Sequence, residues 1–242
     1  MTETIDVGGI QVAVLRKEIK NLHLSVYPPT GEVRISAPSD LALETVRLFA
    51  LTKLGWIQKS RRNLAEQARE PERDYVERES HYLWGKRLLL HVVELDATPK
   101  VDVKHSQLVL RVRPGTSRQA RHEIISAWYR EQLRAQVGPL IKRWSALLDV
   151  RVEHVFVQQM KTKWGSCNPG KETIRLNTEL AKKPLECLEY VVLHELAHMI
   201  DPSHGKTFID LLDRNLPSWR GTRDRLNQAP LSHTALSAAE GS

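Results

Sequence analysis

His194, Glu195, His198 and His204 are the side chains whose types and spacing point most directly to chemistry. Residues four apart on an α-helix share a face, so His194 and His198 can offer two imidazoles to one ion. Glu195 lies one step round the helix, where a carboxylate can take the proton of a water activated at that ion without ligating it. Asp201-Pro202 should then end the helix, because proline steers the residue before it away from helical backbone. The chain can turn there and bring His204 back as a third ligand. Three protein ligands with an open fourth position make a catalytic zinc site, whereas four would close it into a structural one. Zn2+ is therefore the expected ion.

Few residues compete with His204. Thermolysin-like enzymes take a downstream Glu, but the only Glu beyond Glu195 is Glu240, in a polar tail. Metzincins also leave five residues before their third histidine, with Gly third among them and a Met-turn further on. Here that third residue is Asp201, and no Met follows Met199. Asp210 and Asp213 are weaker candidates. The bland alternative, two core histidines satisfied by hydrogen bonds, sits poorly with the flanks. Leu185, Leu188, Val192, Leu196 and Met199 form an apolar stripe, while Cys187, Tyr190, His194 and His198 fall on the opposite face. Pro184 suits a first helical position.

Around these residues the sequence resembles a known family. Lys163-Trp164-Gly165-Ser166-Cys167, Ile174-Arg175-Leu176-Asn177, Pro184, the run Tyr190 to His198, and Ser203-His204 with Phe208 and Pro217 are similar to the YgjP-like metallopeptidases. That family is a minimal zincin group related to the SprT-like and WLM proteases. The catalytic resemblance covers about Met160 to Trp219, and Leu22–Pro38 resembles the family less distinctively. The family typically places His-Ser before a helix-borne Phe. Here the pair reads His204-Gly205 ahead of Phe208, which bears on the start of the next helix and leaves the ligands untouched.

The elements that must position these residues follow from patterning. Ile5–Val14, Leu22–Tyr27 and Glu32–Ala37 alternate apolar and polar as half-buried strands do, the last two joined by a turn at Pro28-Pro29-Thr30-Gly31. Ser39-Asp40 offers an N-cap for a long helix from Leu41 to Ala68. Tyr82–Val93 and Val101–Val112 read as further strands, with a tight turn at Gly85. Pro114-Gly115-Thr116-Ser117 marks a boundary, followed by a long helix over 118–147 that Gly138-Pro139 could kink or divide. Strands at Val152–Met160 and Glu172–Asn177, joined through 164–170, precede the motif helix and a short helix over Lys206–Arg214. The pattern implies an α+β protein. Residues 1–115 form a β-rich N-terminal unit with a long helix. Residues 116–226 form a minimal zincin-like domain with a small antiparallel sheet, and 227–242 a disordered tail.

No apolar run reaches membrane length, and the first nine residues lack a signal peptide's basic and apolar regions. Two cysteines, Cys167 and Cys187, suggest a reducing compartment, so a cytoplasmic location is expected. The net charge of +7 permits attraction to nucleic acid. Lys161, Lys163, Lys182, Lys183, Arg220, Arg223 and Arg225 flank the motif, and the related SprT-like proteases are tied to DNA-associated substrates. The basic residues are nevertheless spread, with no recognisable DNA- or RNA-binding signature, so solvated surface charge is the simpler account.

A zinc-dependent metallopeptidase acting on protein or peptide is the function expected, with Glu195 as general base. The segment Trp164–Cys167, or the strand ending at Asn177, would offer an edge to an extended peptide. Trp164 and Ser166 are the substrate-binding candidates. Tyr190 could assist an oxyanion but reads first as a core phenol, and Cys167 has no role in zinc-water chemistry. Two other functions compete: a metal-dependent hydrolase of nucleotides or phosphate esters, and a DNA-associated module with a structural metal. Phosphate chemistry usually recruits carboxylates for magnesium, and this motif is rich in histidine.

Overall fold

The computed structural model of the chain describes residues 2–27, 30–66, 73–160 and 163–228. These fall into two compact units, one up to Glu66 and one from Arg73 onward. The Pro28-Pro29 turn, Lys161 and the tail beyond Gln228 lie outside the described residues.

In the first unit, strands β1 (Thr2–Val7), β2 (Ile10–Lys17), β3 (His23–Tyr27) and β4 (Glu32–Pro38) form one sheet in the order β1-β2-β4-β3. The outer pairs are antiparallel and the central pair β2–β4 is parallel. Alternation puts Val12, Val14, Val33 and Ile35 on one buried face, where they meet Val46, Ala50 and Ile57. Each such side chain contributes about 1.5–3 kcal/mol by leaving water. The helix expected from Leu41 to Ala68 is instead two, α1 (Leu43–Thr52) and α2 (Leu54–Glu66). Thr52 donates its hydroxyl to the Phe49 carbonyl, 2.7 Å away, and Lys53 leaves helical geometry at ψ 6°. A β-branched residue bonding back to the chain, followed by Gly55, weakens helix continuity there. The α1 N-cap is Ala42, without a side-chain bond, and not Ser39 or Asp40.

The second unit repeats the topology. Strands β5 (Ser80–Leu83), β6 (Lys86–Glu94), β7 (Lys100–Lys104) and β8 (Gln107–Val112) lie in the order β5-β6-β8-β7, again with a parallel central pair. Helix α3 (Arg118–Leu148) follows, capped by Ser117, whose hydroxyl accepts from the Ala120 amide. It runs unbroken through Pro139. Strands β9 (His154–Gln158), β10 (Gly165–Asn168) and β11 (Thr173–Asn177) then form a small sheet in the order β10-β11-β9. A 3-10 turn over Thr178–Lys182 leads to α4 (Leu185–Ile200), α5 (Lys206–Asn215) and α6 (Trp219–Gln228).

Three sequence expectations are corrected here. The small sheet is mixed, not antiparallel: β10 pairs antiparallel with β11, but β9 runs parallel to it. The segment read as a connector is itself a strand, and one extra strand reverses the sense of the pairing. Helix α6 was not expected, because among its described side chains only Trp219, Thr222 and Leu226 are buried, set among charged neighbours; their i, i+3, i+7 spacing was the available signal. Compactness also does not divide after Gly115. Leu90, Leu108 and Leu110 of β6 and β8 share one core with Leu133 and Trp144 of α3 and Leu188, Val192 and Leu196 of α4. The β5–β6 turn locks onto the part of the chain that leads into α4 through Trp84 N to Ala181 O at 2.9 Å. Gly85, at φ +78°, leaves room there for Pro184, whose Cγ would lie 2.9 Å from an added Cβ. Helix α4 is consequently buried on both faces, with Val191, Leu193 and Ala197 covered as well as Leu188, Val192 and Leu196 of the predicted stripe, whose ends differ: Leu185 is exposed and Met199 half-buried.

Candidate active site

Helix α4 carries His194, Glu195 and His198 on consecutive turns facing one cleft. It ends at Asp201, whose backbone is extended. The Asp201 carboxylate accepts from both the amide and the hydroxyl of Ser203, at 2.9 and 2.7 Å. The Ser203 hydroxyl in turn accepts from the Gly205 amide at 3.1 Å. These bonds fold the chain back on itself and return His204. Gly205 serves as the N-cap of α5 with no side-chain bond, so the departure from His-Ser leaves the helix start in place.

The three imidazoles converge. Their ring centroids lie 4.8, 5.2 and 4.7 Å apart, and one nitrogen from each falls within a 4.8 Å group. Among the described residues this is the one set of three or more such ligands. His194 Nε2 and His204 Nε2 are 3.4 Å apart, close to the roughly 3.3–3.4 Å edge of a tetrahedron with zinc–nitrogen bonds of about 2.0–2.1 Å. The protonation states also fit. His198 Nδ1 donates to the Asp201 carbonyl, 3.1 Å away, and a carbonyl can only accept, so a neutral His198 turns its Nε2 lone pair to the cleft. Burial, then the neighbouring His198 and His204, pushes His194 down to about 4. At neutral pH it is thus the uncharged ring that binds metals.

Two aromatic residues hold this set. Phe208, 2% exposed, packs against all three imidazoles at 4.8 to 5.0 Å. The Tyr190 hydroxyl lies 3.4 Å from His194 Nδ1, and its ring stacks on Trp219, 6.2 Å away and nearly parallel. Burial pushes the phenol up to about 12, so it stays protonated. Tyr190 is a packed phenol, as the sequence suggested, but one whose polar end meets His194.

Glu195 is 6% exposed beside the imidazoles, and burial pushes its carboxyl up to about 7 against the pull of Lys163. Its position depends on Gly165, which the sequence shows only as one member of the Lys163–Cys167 motif with no role of its own. A Cβ at Gly165 would lie 2.6 Å from Glu195 Oε1 and 2.9 Å from Val191 Cγ1. The β10 backbone therefore comes as close to the carboxylate as only glycine permits. Only once the segment is seen to be strand β10 does a glycine between Trp164 and Ser166 read as the mark of such an approach.

The cleft holds about 490 Å³, and Trp164, Ser166 and Cys167 line its wall with Lys163 and Arg223. Asn177, fully buried, ties that wall down. Its side chain donates to the carbonyls of Met160 and Lys163, both at 2.9 Å, and accepts from the Glu179 amide. Its own amide donates to Trp164 O at 2.9 Å. Burial pushes the Cys167 thiol up to about 11, so it is no nucleophile at neutral pH. The weaker ligand candidates are elsewhere. Asp210 lines a separate cavity with Leu147 and Leu148, and Asp213 accepts from Trp219 Nε1 at 2.7 Å and pairs with Arg220.

Comparison with known proteins gives a consistent result. The family model of the YgjP-like metallopeptidase domain matches residues 20–229. No curated protein matches the chain. Among solved structures, the metallopeptidase zymogen jannalysin of Methanocaldococcus jannaschii is 22% identical with a TM-score of 0.35, covering 38% of this chain and 94% of that one. The metallopeptidase zymogen abylysin of Pyrococcus abyssi is 20% identical with a TM-score of 0.36, covering 39% of this chain and 98% of that one.

Proposed function

The chain belongs to the YgjP-like metallopeptidase family, and from that premise we propose that it is a zinc-dependent peptidase with Glu195 as its general base. The observation that carries the proposal is the convergence of three imidazoles beside one buried carboxylate in a single cleft. His194, His198 and His204 would hold the ion. Zinc so bound lowers the pKa of a water towards about 7 and polarises a carbonyl. Glu195 would accept the proton of the attacking water on a carboxylate oxygen and pass it to the leaving amine. The Asp201 carbonyl would keep His198 in the required tautomer, and the Tyr190 hydroxyl beside His194 Nδ1 would hold the orientation of that ring.

The substrate would be an extended peptide. Strand β10 is an edge of its sheet, and its residues Gly165, Ser166 and Cys167 line the cleft. A peptide could add there as a further strand, its backbone bonding to β10 and its side chains meeting Trp164 and Ser166. Among the described residues no helix is long and apolar enough to cross a membrane. A donor set of three imidazoles also disfavours magnesium-dependent phosphate chemistry.

Dialysis against a chelator should stop cleavage of casein, and one equivalent of zinc should restore it. Magnesium-restored hydrolysis of a nucleotide or phosphodiester, with casein untouched, would overturn the proposal. Gly165→Ala tests the close approach to Glu195. Displacement of the carboxylate by the added methyl should lower kcat/KM by about a hundredfold, with zinc content unchanged. Wild-type turnover in this variant would mean that Glu195 tolerates the shift and that the approach of β10 is not functional.

A further inference from the structure

The sequence placed seven cations around the motif without showing which of them reach the cleft. Six are described, and four of these are committed elsewhere. Lys182 pairs with Glu179 at 2.7 Å, and Lys183 lies over the Trp164 ring. Arg220 pairs with Asp213, and Arg225 with Glu186 at 3.0 Å. Only Lys163 and Arg223 line the cleft. Arg223 already bonds Asp224 at 3.0 Å and lies over Trp219. Lys163 is exposed, and among the described residues no side chain forms a hydrogen bond or ion pair with its ammonium. The one carboxylate on the cleft lining is Glu195, which is buried and needed for the reaction.

We propose that the cleft selects peptides with an acidic side chain next to the scissile bond, and that Lys163 is the counter-ion that receives it. This rests on the peptidase reading and adds the substrate class to it. The site is built rather than incidental. Asn177 holds the Lys163 carbonyl, and the Trp164 carbonyl beside it accepts from the Asn177 amide. The root of the lysine is thereby fixed, which reduces the ordering cost of a contact at its tip. An ion with two positive charges held by the three imidazoles would add to the same field. Acidic chains are drawn into such a cleft and basic ones are repelled from it. An ammonium–carboxylate contact there gains a charge-assisted hydrogen bond that a neutral side chain cannot make.

The test uses zinc-loaded full-length protein and three fluorescent peptides identical except for Glu, Gln or Lys beside the cleaved bond. Two readouts are taken: kcat/KM with wild type, and affinity by anisotropy with Glu195→Gln. Glu should be preferred over Gln by about tenfold in both. Lys163→Gln should erase that preference, and Lys163→Glu should turn it towards the Lys peptide. Equal handling of the three peptides by wild type overturns the proposal. So does a Lys163→Gln loss of kcat shared equally by all three, which would assign Lys163 to the reaction itself. Displacement of the Glu peptide by a single-stranded oligonucleotide that binds more tightly also overturns it, in favour of a nucleic-acid site. The two levels separate cleanly. Peptides cut without charge preference sink the subsite and leave the peptidase. Peptides bound with charge preference but never cut support the subsite and sink the peptidase.

Discussion

Glu195→Gln is expected to keep its zinc and its fold while losing about a thousandfold or more in kcat, within the range of about 10²–10⁴ that a positioned general base supplies. The amide matches the carboxylate in shape, so the close approach to β10 at Gly165 survives. It cannot accept the proton of the attacking water. The same change removes an ionisable group from a site where Glu195 is 6% exposed, so thermal stability should be equal or slightly higher. Turnover of casein, zinc content by elemental analysis and a melting curve on the same preparation check all three parts. Loss of zinc in the variant would make Glu195 a ligand, and unchanged turnover would place the base elsewhere.

The second large effect concerns the third ligand. His204→Ala should weaken zinc binding by more than the 10- to 100-fold typical of losing an outer partner of a ligand, and Asp210→Ala should leave it unchanged. His204 belongs to the group of nitrogens within 4.8 Å, whereas Asp210 lines another cavity. Ligand binding to the folded state alone raises stability in proportion to the logarithm of ligand over Kd. Chelation should therefore lower the melting temperature of wild type and of Asp210→Ala, and leave that of His204→Ala almost unmoved. Full zinc in His204→Ala together with none in Asp210→Ala would show that the ligand set is wrong.

Much of this site was legible along the chain, because its decisive spacings are local. Four residues bring His194 and His198 onto one helical face, and Asp201-Pro202 stops the helix in time for His204 to return. The start of the long helix after Ser117 and the alternating strands were readable for the same reason: a helix period and a pleat depend only on neighbours within a few residues. The division of residues 41–68 into α1 and α2 was nearly legible, since Thr52 and Gly55 were visible, but neither alone ends a helix. Long-range contact decided the rest. The Trp164–Asn168 segment reads as a loop by composition, and becomes strand β10 only because β11 is there to pair with it. Gly165 looks like turn chemistry until α4 brings Glu195 to within van der Waals range of its Cα. Asn177 ends a strand in sequence, yet in the fold it satisfies the backbone of a connector 14 and 17 residues away. The choice of Lys163 among the six described flanking cations likewise depends on which carboxylates and rings the fold brings to the others. Spacing along one element is set by backbone geometry, but what packs against that element is set by the free energy of the whole core, which no window of sequence contains.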